Sequence, residues 1–328
     1  MNHFESVTSK RNKWYWYIIV LVLCFIVANT IGSIPLFIVM ITSIMKSGID
    51  FSALSNTQFS FSDMDKNVVL FAMLFVFAVM FISIILFVKL FHGRTWTEVI
   101  NGTKRVRWSR FFFGFVVYGI ISIVLFTISY FTEPENIEFC FEPVKFFILL
   151  IIAMLFIPMQ ASMEEFAFRG YIAQGVASWT KSRWWALIIP SVLFGLMHVA
   201  NPEVKEYGFW VMMPQYIFLG FMFGFMSILD DGIELAMGVH TVNNLLSSVL
   251  VTFKASALPT YALFEFKEIN PAEDILPAVV TGVILLAIFA VKYKWNFKIL
   301  NQKVVLNENK AILNEGEVTF IENEMPSM

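Results

Sequence analysis

Repeated apolar runs of about 20 residues constrain this chain more than any other feature, because a helix of that length crosses a hydrocarbon core of about 30 Å. Hydrophobic residues make up 58% of the sequence and charged ones 15%, with 37 phenylalanines; a soluble domain carries roughly 25% charged residues. Inside a bilayer only helices or a closed barrel satisfy every backbone polar group. The chain therefore reads as all-α, a polytopic membrane helical bundle of about eight transmembrane helices. The net charge of −2 and the lack of a basic face give no footing for nucleic acid.

Taken in order, a basic start with Lys10, Arg11 and Lys13 leads into a first run from Trp14 to about Met45. The run is too long for a signal peptide and is interrupted by Asn29, Gly32 and Pro35, which predicts one tilted or kinked crossing rather than a re-entrant pair. A second span covers Asn67 to Phe91 and a third Phe111 to Phe131; the loop between them carries Arg94, Lys104, Arg105, Arg107 and Arg110. The positive-inside rule puts that loop in the cytoplasm and the acidic loop Thr132 to Pro143 outside.

Spans four to eight are expected from Val144, at Trp184–Val199, Val211–Leu229, Glu234–Phe253 and Ile275–Val291, with Lys181 and Arg183 inside and Glu203 and Glu206 outside. In the sixth, Gly220 and Gly224 stand at the spacing that lets membrane helices approach closely. Both termini fall in the cytoplasm of a multi-pass protein of the plasma or inner membrane. The organisation is a cytoplasmic segment 1–13, helices 1–3 over 14–143, a core over 144–253, a loop and helix 8 over 254–298, and a polar tail over 299–328, with Ala311 to Ile321 expected as a short hairpin. Cys24 and Cys140 are placed too differently for a disulfide and lack metal-ligand spacing. Asn101-Gly102-Thr103 matches a glycosylation sequon but falls in a cytoplasmic loop, and the absence of a cysteine near the C-terminus argues against prenylation of this chain.

Chemistry concentrates in Met163 to Tyr171, where Glu164, Glu165 and Arg169 close a long apolar run. Charges inside a bilayer cost about 2.5 to 3.5 kcal/mol each on insertion scales, so they need partners, water or a function. Glu165 and Arg169 stand at i and i+4 and can pair; Glu164 points to another face. It lies as far before the turn at Lys181 as His198 lies after it, which sets the two at equal depth in an antiparallel hairpin. Phe194 shares a face with His198 and would wall the pocket, and His240 and Asn244 share a face of the seventh span. Glu164 and His198 converging on a water form a general base. His240 and Asn244 would supply oxyanion donors, and the set fits hydrolysis of an acyl bond in a wet pocket open to the cytoplasm. The competing reading is a hydrogen-bonded polar seam that glues membrane helices together.

The ordered set Glu164-Glu165-x-x-x-Arg169, Phe194-x-x-x-His198 and His240-x-x-x-Asn244 resembles the three motifs of the CAAX protease and bacteriocin-processing family, the intramembrane glutamate endopeptidases that include type II CAAX prenyl proteases. The resemblance covers about Val144 to Phe253. It implies an intramembrane endopeptidase with Glu164 and His198 activating water, His240 and Asn244 at the oxyanion, and Glu165 and Arg169 in support. It also implies a membrane-associated peptide substrate, of which prenylated peptides are one class, and no metal or other cofactor. Zinc on Glu164, His198 and His240 stays open from the residue types alone, since three protein ligands and a water make a catalytic zinc shell. The family also includes immunity or regulatory proteins, so a non-proteolytic membrane scaffold is the alternative function. Transport is disfavoured by the lack of repeat symmetry between the halves.

Overall fold

The computed structural model describes residues 2–7, 12–47, 64–258 and 260–306. The expected hairpin at Ala311 to Ile321 and most of the loop between the first two spans lie outside these residues. Twelve α-helices are present among the described residues: α1 Trp14–Val27, α2 Ile34–Ser47, α3 Lys66–Phe87, α4 Trp96–Asn101, α5 Trp108–Thr132, α6 Pro143–Glu165, α7 Ala173–Thr180, α8 Arg183–Met197, α9 Pro202–Tyr207, α10 Phe209–Leu229, α11 Glu234–Val249 and α12 Pro271–Tyr293. Three short strands, β1 Ile137–Phe139, β2 Val251–Phe253 and β3 Phe264–Phe266, form a sheet of order β1-β3-β2 at one end of the bundle.

Six segments are long and apolar enough to cross a membrane: Trp14–Met45, Lys66–His92, Trp108–Thr132, Pro143–Thr180, Phe209–Leu229 and Pro271–Tyr293. The chain is thus an integral, multi-pass, all-α membrane protein. The other two expected crossings, α8 and α11, are only 15 and 16 residues long. Their surroundings differ. α11 packs against α5, α6 and α10 and is largely buried, whereas α8 packs one face on α10 and leaves Trp185, Leu196 and Met197 exposed on the other. The first crossing is a single kinked one, as its interrupting residues predict. α1 passes into α2 through a π-helical turn at Ala28–Gly32, with Gly32 set against Val76 of α3.

Local chemistry fixes several helix ends. Asp65 caps α3 by accepting from the backbone N–H groups of Asn67 and Val68, and Thr95 with Glu98 forms a capping box on α4. Lys181 adopts a left-handed conformation, and Ser182 then accepts from the Trp185 N–H to start α8. Close helix contacts use glycine. A Cβ on Gly220 of α10 would lie 2.6 Å from the Ser191 carbonyl oxygen of α8, and one on Gly238 of α11 would meet the Phe111 carbonyl of α5.

The two ends of the bundle differ. At the sheet end, Lys66 reaches the Thr260 carbonyl, Lys145 reaches Tyr261, and Glu203 of α9 accepts from the Ala257 N–H. At the opposite end, Arg107 binds Glu234 and Asp230, and residues 2–7 are tucked inside. Phe4 and Val7 are buried there. The Asn2 and His3 N–H groups donate to the Asp231 carboxylate at 2.8 and 2.9 Å. His3 Nε2 meets the Arg169 carbonyl oxygen at 3.0 Å, Gln174 Nε2 donates to the His3 carbonyl oxygen at 2.7 Å, and Glu5 pairs with Arg183 at 3.0 Å.

Two outcomes are expected. Gly238→Ala should lower stability by about 1–3 kcal/mol, the usual cost of overpacking, in thermal unfolding of the detergent-solubilised protein. Gly119→Ala, whose Cβ would meet only Val242 Cγ2 at 3.2 Å, should cost less. Burial, working against the Asp231 charge and the Arg169 carbonyl, lowers the His3 imidazole from 6.5 to about 4. The undocked segment then binds its proton first as pH falls. Docking is fully favourable above 6.5 and is lost progressively toward pH 4. Hydrogen exchange of residues 2–7 should accelerate across that window, beyond the intrinsic change, in the native protein; an identical profile in His3→Asn would count against the assignment.

Candidate active site

The site is built where α6 ends. Apolar side chains carry α6 through the bundle as far as Gln160, after which polar residues follow and the helix widens into a π-helical stretch over Phe166–Ile172. Such bulges insert extra backbone into a helix and recur at functional sites. Glu164 and Glu165 stand immediately before it and Arg169 within it, 7%, 0% and 1% exposed.

Arg169 is held on several sides. Its Nη1 pairs with Glu165 Oε1 at 3.0 Å and its Nη2 donates to the Gly220 carbonyl oxygen at 3.1 Å. Its guanidinium lies 4.2 Å from the centre of the Phe194 ring and 5.3 Å from that of Phe223. An aromatic lining of this kind stabilises a desolvated cation through the ring quadrupole. The same Glu165 Oε1 contacts His240 Nδ1 at 2.8 Å. With Phe223 stacked on the imidazole at 4.8 Å and 17°, the ring is fixed on its face and at one nitrogen.

The other nitrogen, His240 Nε2, faces Glu164 Oε2 at 3.6 Å. That oxygen is buried and has no hydrogen-bond partner, whereas Glu164 Oε1 accepts from Gln160 Nε2. The Gln160 oxygen accepts in turn from Asn244 Nδ2 at 2.9 Å, and Asn244 Oδ1 accepts from Asn243 at 3.0 Å, with Tyr118 of α5 donating to Asn243 at 3.0 Å. One connected network therefore joins α5, α6, α10 and α11 around an unpaired carboxylate oxygen.

The sequence pairing of Glu165 with Arg169 is present, and Glu165 also takes His240, a second role not expected for it. Glu164, His240 and Asn244 are brought together as neighbours. No hydrogen bond or ion pair joins Glu164 to His198 among the described residues. Equal distance from the turn sets depth but not azimuth. His198, just past the end of α8, stacks on Tyr216 at 4.4 Å and 21°, and its Nδ1 lies 2.8 Å from the Phe194 carbonyl oxygen. A carbonyl only accepts, so Nδ1 carries the proton and Nε2 of the neutral ring is an acceptor. Phe194 links the halves: its ring touches His198 at 4.7 Å and His240 at 5.9 Å.

Gln160 was legible in principle, as a polar residue four before Glu164 inside an apolar run; Tyr118, Phe223 and Tyr216 carry no local signal. Glu203 was read as a loop acid, yet it is 7% exposed and burial raises its carboxyl above the usual range, opposed by the Ala257 N–H and by His198. Glu164, His198 and His240 are not gathered into a group able to hold a metal ion among the described residues.

A buried carboxylate–imidazole site inside a polytopic helical bundle defines the class of protein, and the comparisons narrow it. Residues 143–246, from the start of α6 into α11, match the family model for the type II CAAX prenyl endopeptidase Rce1-like proteins. Over 170 residues the chain is 31% identical to a protein of Bacillus subtilis (strain 168) named uncharacterized protein YyaK, across 52% of this chain and 56% of that one. The match thus spans little more than half of that relative's length. No solved structure matches the chain. The segment 143–246 is thus similar to the Rce1-like proteins.

The Arg169–Glu165 pair is buried, which gives a prediction. Removing one partner of a buried pair leaves a bare charge and typically costs about 3–5 kcal/mol. Arg169→Met should therefore lower the thermal midpoint far more than Glu164→Gln, whose target has an oxygen already unpaired.

Proposed function

We propose that this site hydrolyses a peptide bond in a membrane-associated peptide by direct attack of a water activated by Glu164. The observation that carries the reading is the buried Glu164 Oε2, without a hydrogen-bond partner and 3.6 Å from His240 Nε2, in a network whose Asn243 and Asn244 are partly exposed. A water within hydrogen-bond reach of both atoms forms a triangle with them. Glu164 takes one proton from that water as its oxygen adds to the scissile carbonyl carbon. The carbonyl oxygen becomes an oxyanion, to which the second N–H of Asn244 donates, joined by His240 Nε2 when the ring carries both protons, since Nδ1–H is already given to Glu165. The C–N bond then breaks, and the proton held by Glu164 passes to the leaving amine, so the carboxylate is regenerated.

His198, with its acceptor nitrogen fixed by the Phe194 carbonyl, serves on the far wall of the pocket. It orients the water or the substrate amide once the peptide draws the two walls together. Glu165 and Arg169 hold the His240 ring. No metal enters this scheme; Glu164, His198 and His240 do not form a donor set in the described residues. The family description supports a CAAX-type endopeptidase, and a prenylated peptide is one substrate class it suggests.

The test uses purified protein and labelled membrane peptides. Glu164→Gln and His240→Ala should each reduce cleavage by about 10²-fold or more, the scale for losing a general base or an oxyanion donor. Activity should survive exhaustive chelation. Folded variants that cleave normally, or that lack cleavage yet keep the biological phenotype, would shift the assignment to the membrane scaffold reading.

A further inference from the structure

The side of the membrane from which the site is reached follows from how burial changes along the network. Glu165 is 0% exposed, His240 4% and Glu164 7%, whereas Asn243, Asn244 and His198 are partly exposed and Ser247, one turn beyond Asn244 on α11, is exposed. Access therefore widens toward the C-terminal end of α11, which runs directly into β2 and the sheet. Three amide or hydroxyl residues on one helix face do not turn to hydrocarbon without cost, since lipid offers them no partners.

The other end is closed. The His3 imidazole sits on the Arg169 carbonyl, Gln174 is spent on His3 and on the Glu98 and Val99 carbonyls, and Arg107 with Glu234 fills the base of α11. His3, Gln174 and Glu234 are 1%, 0% and 0% exposed. Charge distinguishes the ends as well. The closed end carries Arg94, Lys104, Arg105, Arg107, Arg110, Lys181, Arg183, Lys294 and Lys298. The sheet end has no arginine among the described residues; its cations are Lys66, Lys145, Lys205, Lys254 and Lys267, set among the acids Glu133, Glu135, Glu138, Glu142, Glu203, Glu206, Glu265 and Glu268. Lysine and arginine accumulate on the cytoplasmic side of membrane proteins, while acidic residues set orientation only weakly.

From these observations we infer that the site opens at the sheet end and that this end is extracytoplasmic, so its substrate is a membrane peptide presented from outside the cytoplasm. The inference rests on the peptidase reading for the word substrate, but the direction of opening stands on exposure and charge alone. It reverses the expectation of a cytoplasmic pocket. A peptide reaching Glu164 by this route passes the sheet and the α9 loop, whereas a lipidated C-terminus displayed in the cytoplasm would meet the docked N-terminal segment.

Two thiols test it in intact cells without any assay of cleavage. Native Cys140, next to β1, is partly exposed and reports the sheet end; its thiol lies above the usual range, chiefly from burial and then from Glu138 and Glu265, so labelling is run at mildly alkaline pH. Ser247→Cys in a Cys140→Ser background reports the opening. A membrane-impermeant maleimide applied to intact cells should label both positions at least about tenfold faster than buried Cys24, and in inverted vesicles neither should react faster than Cys24. Labelling of Cys140 from inverted vesicles only would overturn the orientation. Labelling of Ser247→Cys from the cytoplasmic side, or from neither side while Cys140 reacts from outside, would overturn the opening. Glu164→Gln should label like the parent, so a failed peptidase assay and a failed accessibility assay are told apart.

Discussion

The structure depends on one buried cation. Arg169 is withdrawn from water, and a bare guanidinium in that position would cost several kcal/mol. Its cost is offset from four directions: the Glu165 carboxylate, the Gly220 carbonyl, and the faces of Phe194 and Phe223. The partners come from three helices, Glu165 from α6, Phe194 from α8, and Gly220 and Phe223 from α10, so satisfying the charge fixes these helices and the widened turn after α6 relative to one another. Gly220 shows the dependence most directly. Its missing side chain lets α10 approach α8 at Ser191, and its carbonyl, set by that approach, is the one Arg169 reaches. Glu165 then carries the geometry onward to His240.

Much of this was readable from residues, and the boundary of what was readable has a physical basis. Apolar run length announced a helical membrane bundle, because the bilayer leaves few alternatives. The i, i+4 relation of Glu165 and Arg169 is a property of one helix, and it survives even though a π-helical stretch begins between them. Crossing number was harder. α8 and α11 are too short to span by length, yet they are apolar or amphipathic enough to read as spans, and only packing tells a membrane-facing helix from one wrapped in protein. Across helices, counting from a turn fixes height but leaves rotation free. That is why His198 was expected opposite Glu164 and instead rests on Tyr216, while His240, on a helix far away in sequence, takes the place beside the acid. Gln160 and Tyr118 complete the network from apolar runs where a single polar residue looks incidental.

The family match ends near Asn244 and begins with α6, but the site does not respect those limits. Tyr118 donates into the network from α5, and the α5 backbone at Phe111 lies directly against Gly238. The N-terminal segment touches the carbonyl of Arg169 itself. Conversely, the sheet that crowns the opening is made by residues outside the matched segment, from the α5–α6 loop and from the chain after α11. A segment shared with the family model is thus surrounded by parts that lie outside the match.

Arg183 ties together stretches that are far apart along the chain. It pairs with Glu5 at 3.0 Å and donates to the carbonyls of Gln302 and Lys303 at 2.6 and 3.1 Å. A ribosome inserting helices one after another therefore cannot finish this end of the bundle when the first of them enters the membrane. The segment 2–7 cannot complete its contacts until Asp231 has been made, 229 residues after Asn2, and Arg183 gains its last partners only with Gln302 and Lys303.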